Sequence, residues 1–263
     1  MDAIEAALLG VVQGLTEFFP VSSSGHLVLF QTLFGGRMSG GLLFEVAVHV
    51  ATLVAIAAYY RGRIVELLVG VLARDREALE YGAKLAVATL PAVAVGLGAK
   101  DWIESQFSNP TLVAVALLTT GCFVFSTRWT ARHAVGSVPG WGVAIAIGMA
   151  QACAILPGIS RSGATVATAL ALGVAPLVAA EFSFLLGIIA IAGAAVLMLP
   201  ELSQADAGAL ATIGLGAATA LASGMVAIWL FVRMLDRNVF HLWAGYCWVV
   251  GGAFLAWSLA GPG

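Results

Sequence analysis

A chain of 263 residues in which 61 % are hydrophobic and 10 % charged, with a mean hydropathy of +1.01, excludes a soluble globular domain, where about a quarter of the residues carry charge. The bilayer is its solvent, and at about 20 residues per span the length admits at most about eight crossings. A formal net charge of −2 argues against nucleic-acid binding, which would want a basic balance.

The first residues carry Asp2, Glu5 and Glu17 without a basic flank, which does not read as a cleaved signal peptide. Residues 3–19 and 26–34 then flank a break of Pro, Ser and Gly, and uninterrupted spans follow at 41–60, 82–99 and 111–127. The pattern returns further on. Residues 142–156 and 164–174 flank a second break, followed by spans at 177–199, 208–232 and 240–260. A non-helical break at membrane depth is tolerated only inside protein or beside a wet cavity, so 3–34 and 142–174 are expected to be re-entrant hairpins. Segment 61–80 mixes Arg61, Arg63, Arg74 and Arg76 with Glu66, Asp75, Glu77 and Glu80. Its apolar middle could lie along the interface, but the mixed charge favours a solvated loop. Cys122, Cys153 and Cys247 lie in apolar stretches without paired or metal-ligand spacing and are expected to be packing residues.

The two breaks resemble each other: Gln13 and Gln151, Ser22 and Ser160, Ser24 and Ser162, and Gly25 and Gly163 all stand 138 residues apart. One hairpin plus three crossings is an odd number of passes, so the second half must enter from the opposite face. The expected fold is an all-α integral membrane protein, one membrane domain over 1–263, built as an inverted-topology repeat of 1–130 and 139–263. It holds six transmembrane helices plus two re-entrant helix-break-helix hairpins. On this layout one face collects nine basic residues, Arg61, Arg63, Arg74, Arg76, Lys84, Arg128, Arg132, Arg233 and Arg237, against Arg37 and Lys100 on the other. The positive-inside rule puts the nine in the cytoplasm, and both termini and the mouth of the first hairpin outside.

Intramembrane ionisable groups are costly and mark function by default, which singles out Glu17, His26, Glu45, His49, Arg161 and Glu181. Gln13 and Glu17, four apart, share one helix face pointing at the first break. Ser22, Ser23 and Ser24 open the next helix. Helix capping explains one of them but not three beside a carboxylate and an imidazole. His26 lies about one turn beyond Ser23. In the second break Ser160, Arg161, Ser162 and Gly163 combine hydroxyls, backbone N–H groups and a guanidinium at a helix start, which suits a phosphate. The alternative, less favoured reading of Arg161 is as the partner of a buried carboxylate such as Glu17 or Glu181. Glu45 with His49, and Glu181, are expected to be structural.

Gln13-x-x-x-Glu17 leading into Phe-Phe-Pro-Val-Ser-Ser-Ser-Gly-His26, with Leu-Pro-Gly-Ile-Ser-Arg161-Ser-Gly-Ala-Thr, resembles the two signature regions of bacterial undecaprenyl-diphosphate phosphatases of the bacitracin-resistance type. The resemblance implies an integral enzyme of the bacterial inner membrane that hydrolyses a polyprenyl diphosphate to the monophosphate carrier and inorganic phosphate, recycling the carrier for cell-wall synthesis. It also implies a divalent cation, Mg or Ca. By motif position Glu17 is the acidic residue, Ser23 the nucleophile, His26 the base and Arg161 the phosphate-binding arginine, with Ser22, Ser24, Ser160, Ser162 and Gly163 around the phosphate. The first acidic position of the motif is Gln13 here, which weakens a mechanism needing two carboxylates, Glu17 and residue 13, on a metal. Residue types alone leave Ser23, His26 and water open as nucleophile. The expected partners are the lipid diphosphate, membrane lipids and a second copy of the chain. The rival class is a polyprenyl-phosphate flippase or other inverted-repeat anion transporter.

Overall fold

The computed structural model describes residues 1–33, 41–198 and 210–260. Twelve α-helices are described: α1 Ala3–Phe18, α2 Ser23–Leu33, α3 Gly41–Tyr59, α4 Arg61–Leu72, α5 Arg76–Gly98, α6 Lys100–Gln106, α7 Pro110–Thr130, α8 Trp141–Cys153, α9 Arg161–Ala171, α10 Pro176–Met198, α11 Leu210–Asp236 and α12 Trp243–Ala260. Among the described residues the one sheet-type pairing is a bridge between Gly136 and Val174. Five helices, α5, α7, α10, α11 and α12 with its leading 3-10 turn, are long and apolar enough to cross a membrane; α3 reaches that standard together with α4, from which it is bent by 76°. The chain is a multi-pass, all-α membrane protein.

The predicted interrupted runs are the helix pairs α1–α2 and α8–α9, with shifted starts. α2 begins at Ser23 and α9 at Arg161, each three residues before its apolar run. The reason is capping: Ser160 accepts from the Gly163 amide at 3.1 Å, and Ser22 from the Gly25 amide at 3.2 Å, so polar residues fill each first turn. Residue 34 of the first run, residue 199 of the fourth span, residues 208–209 of the fifth span and Arg37 lie outside the described residues. The loop expected over 61–80 is instead mostly helical. α4 occupies Arg61–Leu72, Arg74 turns the chain at φ 58°, and Asp75 caps α5 by accepting from Ala78 N at 2.9 Å. α4 leaves Val65, Leu68, Val69 and Leu72 exposed. The short α6 was not expected either.

Small residues set the close crossings. α1 packs along α11, where a Cβ at Gly10 would overlap the Gly216 carbonyl and one at Gly14 the Ala220 carbonyl. α8 packs along α5, and a Cβ at Gly148 would overlap the Ala88 carbonyl. Gly10 and Gly148 are themselves 138 residues apart. α7 packs on α12, and α3 lies against α10 and α11. Beneath the first break an edge-to-face aromatic series runs from Phe18 to Phe184 at 5.7 Å, on to Phe231 at 4.9 Å and to Phe240 at 4.9 Å.

Candidate active site

The two breaks meet inside the bundle and hold each other. Ser22 is in the left-handed region at φ 65° and Gly158 at φ 98°. In these conformations the Gly158 amide donates to Ser22 Oγ at 3.2 Å, and Ser162 Oγ donates to the Phe18 carbonyl at 2.8 Å. Thr120 of α7 completes the second break: its Oγ1 donates to the Gly158 carbonyl at 2.8 Å and accepts from the Ser160 amide at 3.0 Å. The backbones approach too closely for side chains. A Cβ at Gly25 would stand 2.9 Å from the Gly158 Cα, and one at Gly163 would stand 3.3 Å from Pro20 Cβ. Ser22, Ser160 and Ser162 are all buried. Of these residues, all expected around a phosphate, Ser22 and Ser162 tie the two breaks together while Ser160 and Gly163 bond within the second, since each backbone group there needs a partner in a medium without water.

Glu17, at the end of α1, is the hub. Its Oε1 accepts from Arg161 Nη2 at 2.8 Å; its Oε2 accepts from Ser23 Oγ at 2.9 Å and from Gln13 Nε2 at 3.2 Å. Carboxylate and guanidinium are largely withdrawn from solvent, with side chains 7 % and 15 % exposed. The alternative reading of Arg161, as the partner of a buried carboxylate, thus describes its contact here, and the carboxylate is Glu17. Arg161 Nη1 is buried and has no protein hydrogen-bond partner. It rests against Gly187 of α10, where a Cβ would overlap it.

Gln13, Ser23, Ser24, Glu45, His49 and Arg161 share the wall of a cavity of about 380 Å³ with Phe107 and with Ile191, Ala194 and Ala195 of α10. One wall is thus polar and the other apolar, a shape suited to an amphiphile with an anionic head. His49 and Glu45, expected to be structural, belong to this cavity. His49 Nδ1 donates to the Glu45 carbonyl at 2.7 Å, which leaves Nε2 facing Glu17 Oε2 at 4.0 Å. Glu181 is structural as expected: it accepts from Arg63 Nε at 3.0 Å and Tyr81 Oη at 3.1 Å. His26 lies beside the site but is bonded elsewhere, to the Ser22 carbonyl and to Tyr246 Oη, both at 2.8 Å. Of the expected residues, Gln13, Glu17, Ser23, Ser24 and Arg161 converge. Gly187, His49 and Tyr246 were missed as contributors.

Among the described residues no three His, Cys, Asp or Glu side chains form a metal-binding group. Both Glu17 oxygens are engaged, and Gln13 turns its amide N–H₂ toward the carboxylate rather than joining it as a second ligand. This donor set does not fit a divalent cation held by protein groups alone.

The family model described as bacitracin resistance protein BacA matches residues 6–253. An undecaprenyl-diphosphatase of Desulfosudis oleivorans is 42 % identical, over 97 % of this chain and 98 % of its own length. Those of Syntrophotalea carbinolica and Geobacter sulfurreducens are 37 % and 38 % identical, over 98 % and 99 % of this chain and the whole of their own lengths. With two signature breaks joined in one cavity and a match along almost its entire length, the chain belongs to the bacitracin resistance protein BacA family.

Proposed function

We propose that this protein is an undecaprenyl-diphosphate phosphatase, releasing inorganic phosphate and leaving the lipid monophosphate. The observation that carries the reading is the Ser23 hydroxyl held at 2.9 Å by Glu17 Oε2 while Arg161 sits on the other carboxylate oxygen. A hydroxyl bonded to a carboxylate is a nucleophile with its base in place. Ser23 Oγ attacks the terminal phosphorus in line, the P–O–P bond breaks toward the lipid phosphate, and the serine proton passes to Glu17. Water then attacks the phosphoserine, the Ser–O–P bond breaks, and a proton returns to Oγ. Arg161 and the first turn of α2 stabilise the charge on the transferring group. Serine rather than His26 is favoured as nucleophile because His26 is bonded away from the cavity.

A divalent cation enters this proposal as a partner of the diphosphate oxygens, consistent with a donor set that cannot hold one alone. The apolar wall of Ile191, Ala194 and Ala195 supports a lipid-borne substrate whose tail stays in the membrane. An inverted repeat is supported by the exchange of partners: each half's first helix packs on the middle span of the other half, α1 on α11 and α8 on α5. The nine-to-two basic asymmetry supports an orientation in the bacterial plasma membrane with both termini outside. A flippase would need the anion site but not a hydroxyl aimed at a carboxylate. The test is phosphate release from undecaprenyl diphosphate by purified protein. Turnover that disappears with Ser23→Ala supports the reading; absence of turnover in the unsubstituted protein sinks it.

A further inference from the structure

His26 follows Ser23 by three residues, yet its imidazole is turned away from that hydroxyl. Nδ1 lies 2.8 Å from the Ser22 carbonyl oxygen. A carbonyl only accepts, so Nδ1 carries the proton, and the neutral ring presents a lone pair at Nε2. Facing that lone pair at 2.8 Å is the hydroxyl of Tyr246, from α12, which therefore donates to it. The two rings lie nearly parallel, 12° apart with centroids at 5.7 Å. His26 is 5 % exposed, and both of its nitrogens are occupied.

The group at the far end of this series is the left-handed residue of the break. The Ser22 carbonyl receives the His26 amide at 3.1 Å as well as Nδ1–H. A left-handed conformation at a non-glycine residue persists only where its surroundings over-determine it. Ser22 immediately precedes Ser23, so its conformation sets where the Ser23 hydroxyl points. The same end of α12 braces the break twice more. Trp243 stacks on Phe19 with centroids 4.5 Å apart, and the Cys247 thiol donates to the Pro20 carbonyl at 3.2 Å.

We propose that Tyr246 is a positioning residue for the hydrolysis: through His26 it holds the Ser22 turn that aims Ser23 at Glu17, and His26 is a link in this strut rather than the acceptor of the serine proton. The kinetic part rests on the reading of the protein as a phosphatase; the hydrogen-bond series does not. A base and a strut respond differently to a neutral amide that can still donate and accept. A glutamine at position 26 can bond both Ser22 and Tyr246 but cannot take up a proton near neutral pH.

The experiment uses full-length protein with Tyr246→Phe, His26→Gln and His26→Ala, assayed on undecaprenyl diphosphate, together with ¹⁵N-histidine NMR. Tyr246→Phe is expected to lower kcat by about 5- to 100-fold with KM unchanged, the range for one lost buried hydrogen bond. His26→Gln is expected to recover most of the activity lost in His26→Ala and to keep the acid limb of the pH profile. In the spectrum, the histidine signal removed by His26→Gln is expected to report an Nδ1–H tautomer whose Nε2 resonance moves in Tyr246→Phe. His26→Gln as inactive as His26→Ala with its acid limb gone, a Tyr246→Phe enzyme with unchanged kcat, or an Nε2–H tautomer would each overturn the proposal. Unsubstituted protein that released no phosphate would defeat the phosphatase reading instead, and the NMR would still decide the strut.

Discussion

Arg161 and Glu17, 144 residues apart in the chain, form a buried ion pair at 2.8 Å in which each break contributes one charge. The pair neutralises two groups that neither break could hold alone at membrane depth. It also leaves Arg161 Nη1 without a protein partner, as a donor that a phosphate oxygen can satisfy.

Arg161→Lys is expected to fold and to lose most activity, because an ammonium cannot bond Glu17 and a phosphate through one planar fork. A loss of about 2 to 4 kcal/mol in transition-state stabilisation corresponds to roughly thirty- to a thousand-fold in kcat/KM. Phosphate release, read beside thermal unfolding, checks this. Turnover near that of the unsubstituted protein would leave Arg161 as a tie between the breaks and nothing more.

Ser23→Ala and Glu17→Gln should each remove most turnover, and the double variant should be little worse than the more damaging single, since nucleophile and base act as one unit. Single-turnover rates of the four proteins decide it. Losses that multiply would separate the two groups and favour a directly attacking water.

Gly187→Ala should cost up to about 100-fold in kcat while α10 remains helical, because the added Cβ overlaps Arg161 Nη1 and pushes the guanidinium out of line. Kinetics with circular dichroism test it. Unchanged kcat would mean that the arginine can occupy another position at no cost.

Chelation is expected to abolish activity and added Mg to restore it, while Mg leaves the melting temperature of substrate-free protein unchanged. Ligand binding to the folded state raises stability by mass action, so a site complete in the protein would show itself without substrate. Stabilisation of the substrate-free protein by millimolar Mg would contradict the reading of the donor set.

Sidedness can be tested in a variant lacking Cys122, Cys153 and Cys247. A cysteine at Ser108, exposed after α6, should react with an impermeant thiol reagent on intact cells, and one at Ser137, exposed before α8, only after the membrane is opened. Labelling of both from one side would dispose of the inverted arrangement.

The breaks were legible because Pro20, Pro157 and the flanking serines interrupt apolar runs that have no other reason to stop. α4 was not, since Arg63 and Glu66 within it look like loop charges until their 2.9 Å pairing on one helix face is seen. Proximity in sequence misled most at the histidines. His26 is three residues from Ser23, but in a helix its ring reaches back to the carbonyl four residues earlier; His49, from α3, is the imidazole that faces Glu17. No local pattern marks Tyr246 in its apolar helix. Its importance comes from a contact across 220 residues, which spacing rules do not reach.

The 138-residue offset pairs positions of unlike chemistry: Ser23 with Arg161, Glu17 with Ile155 and His26 with Ala164. Hydroxyl and guanidinium thus stand at the first residues of α2 and α9 and both bond the Glu17 carboxylate, which has no counterpart at residue 155. Two identical halves would offer either two hydroxyls or two guanidiniums and never one of each. The centre thus depends on unlike groups from the two breaks, and neither break by itself carries carboxylate, hydroxyl and guanidinium together.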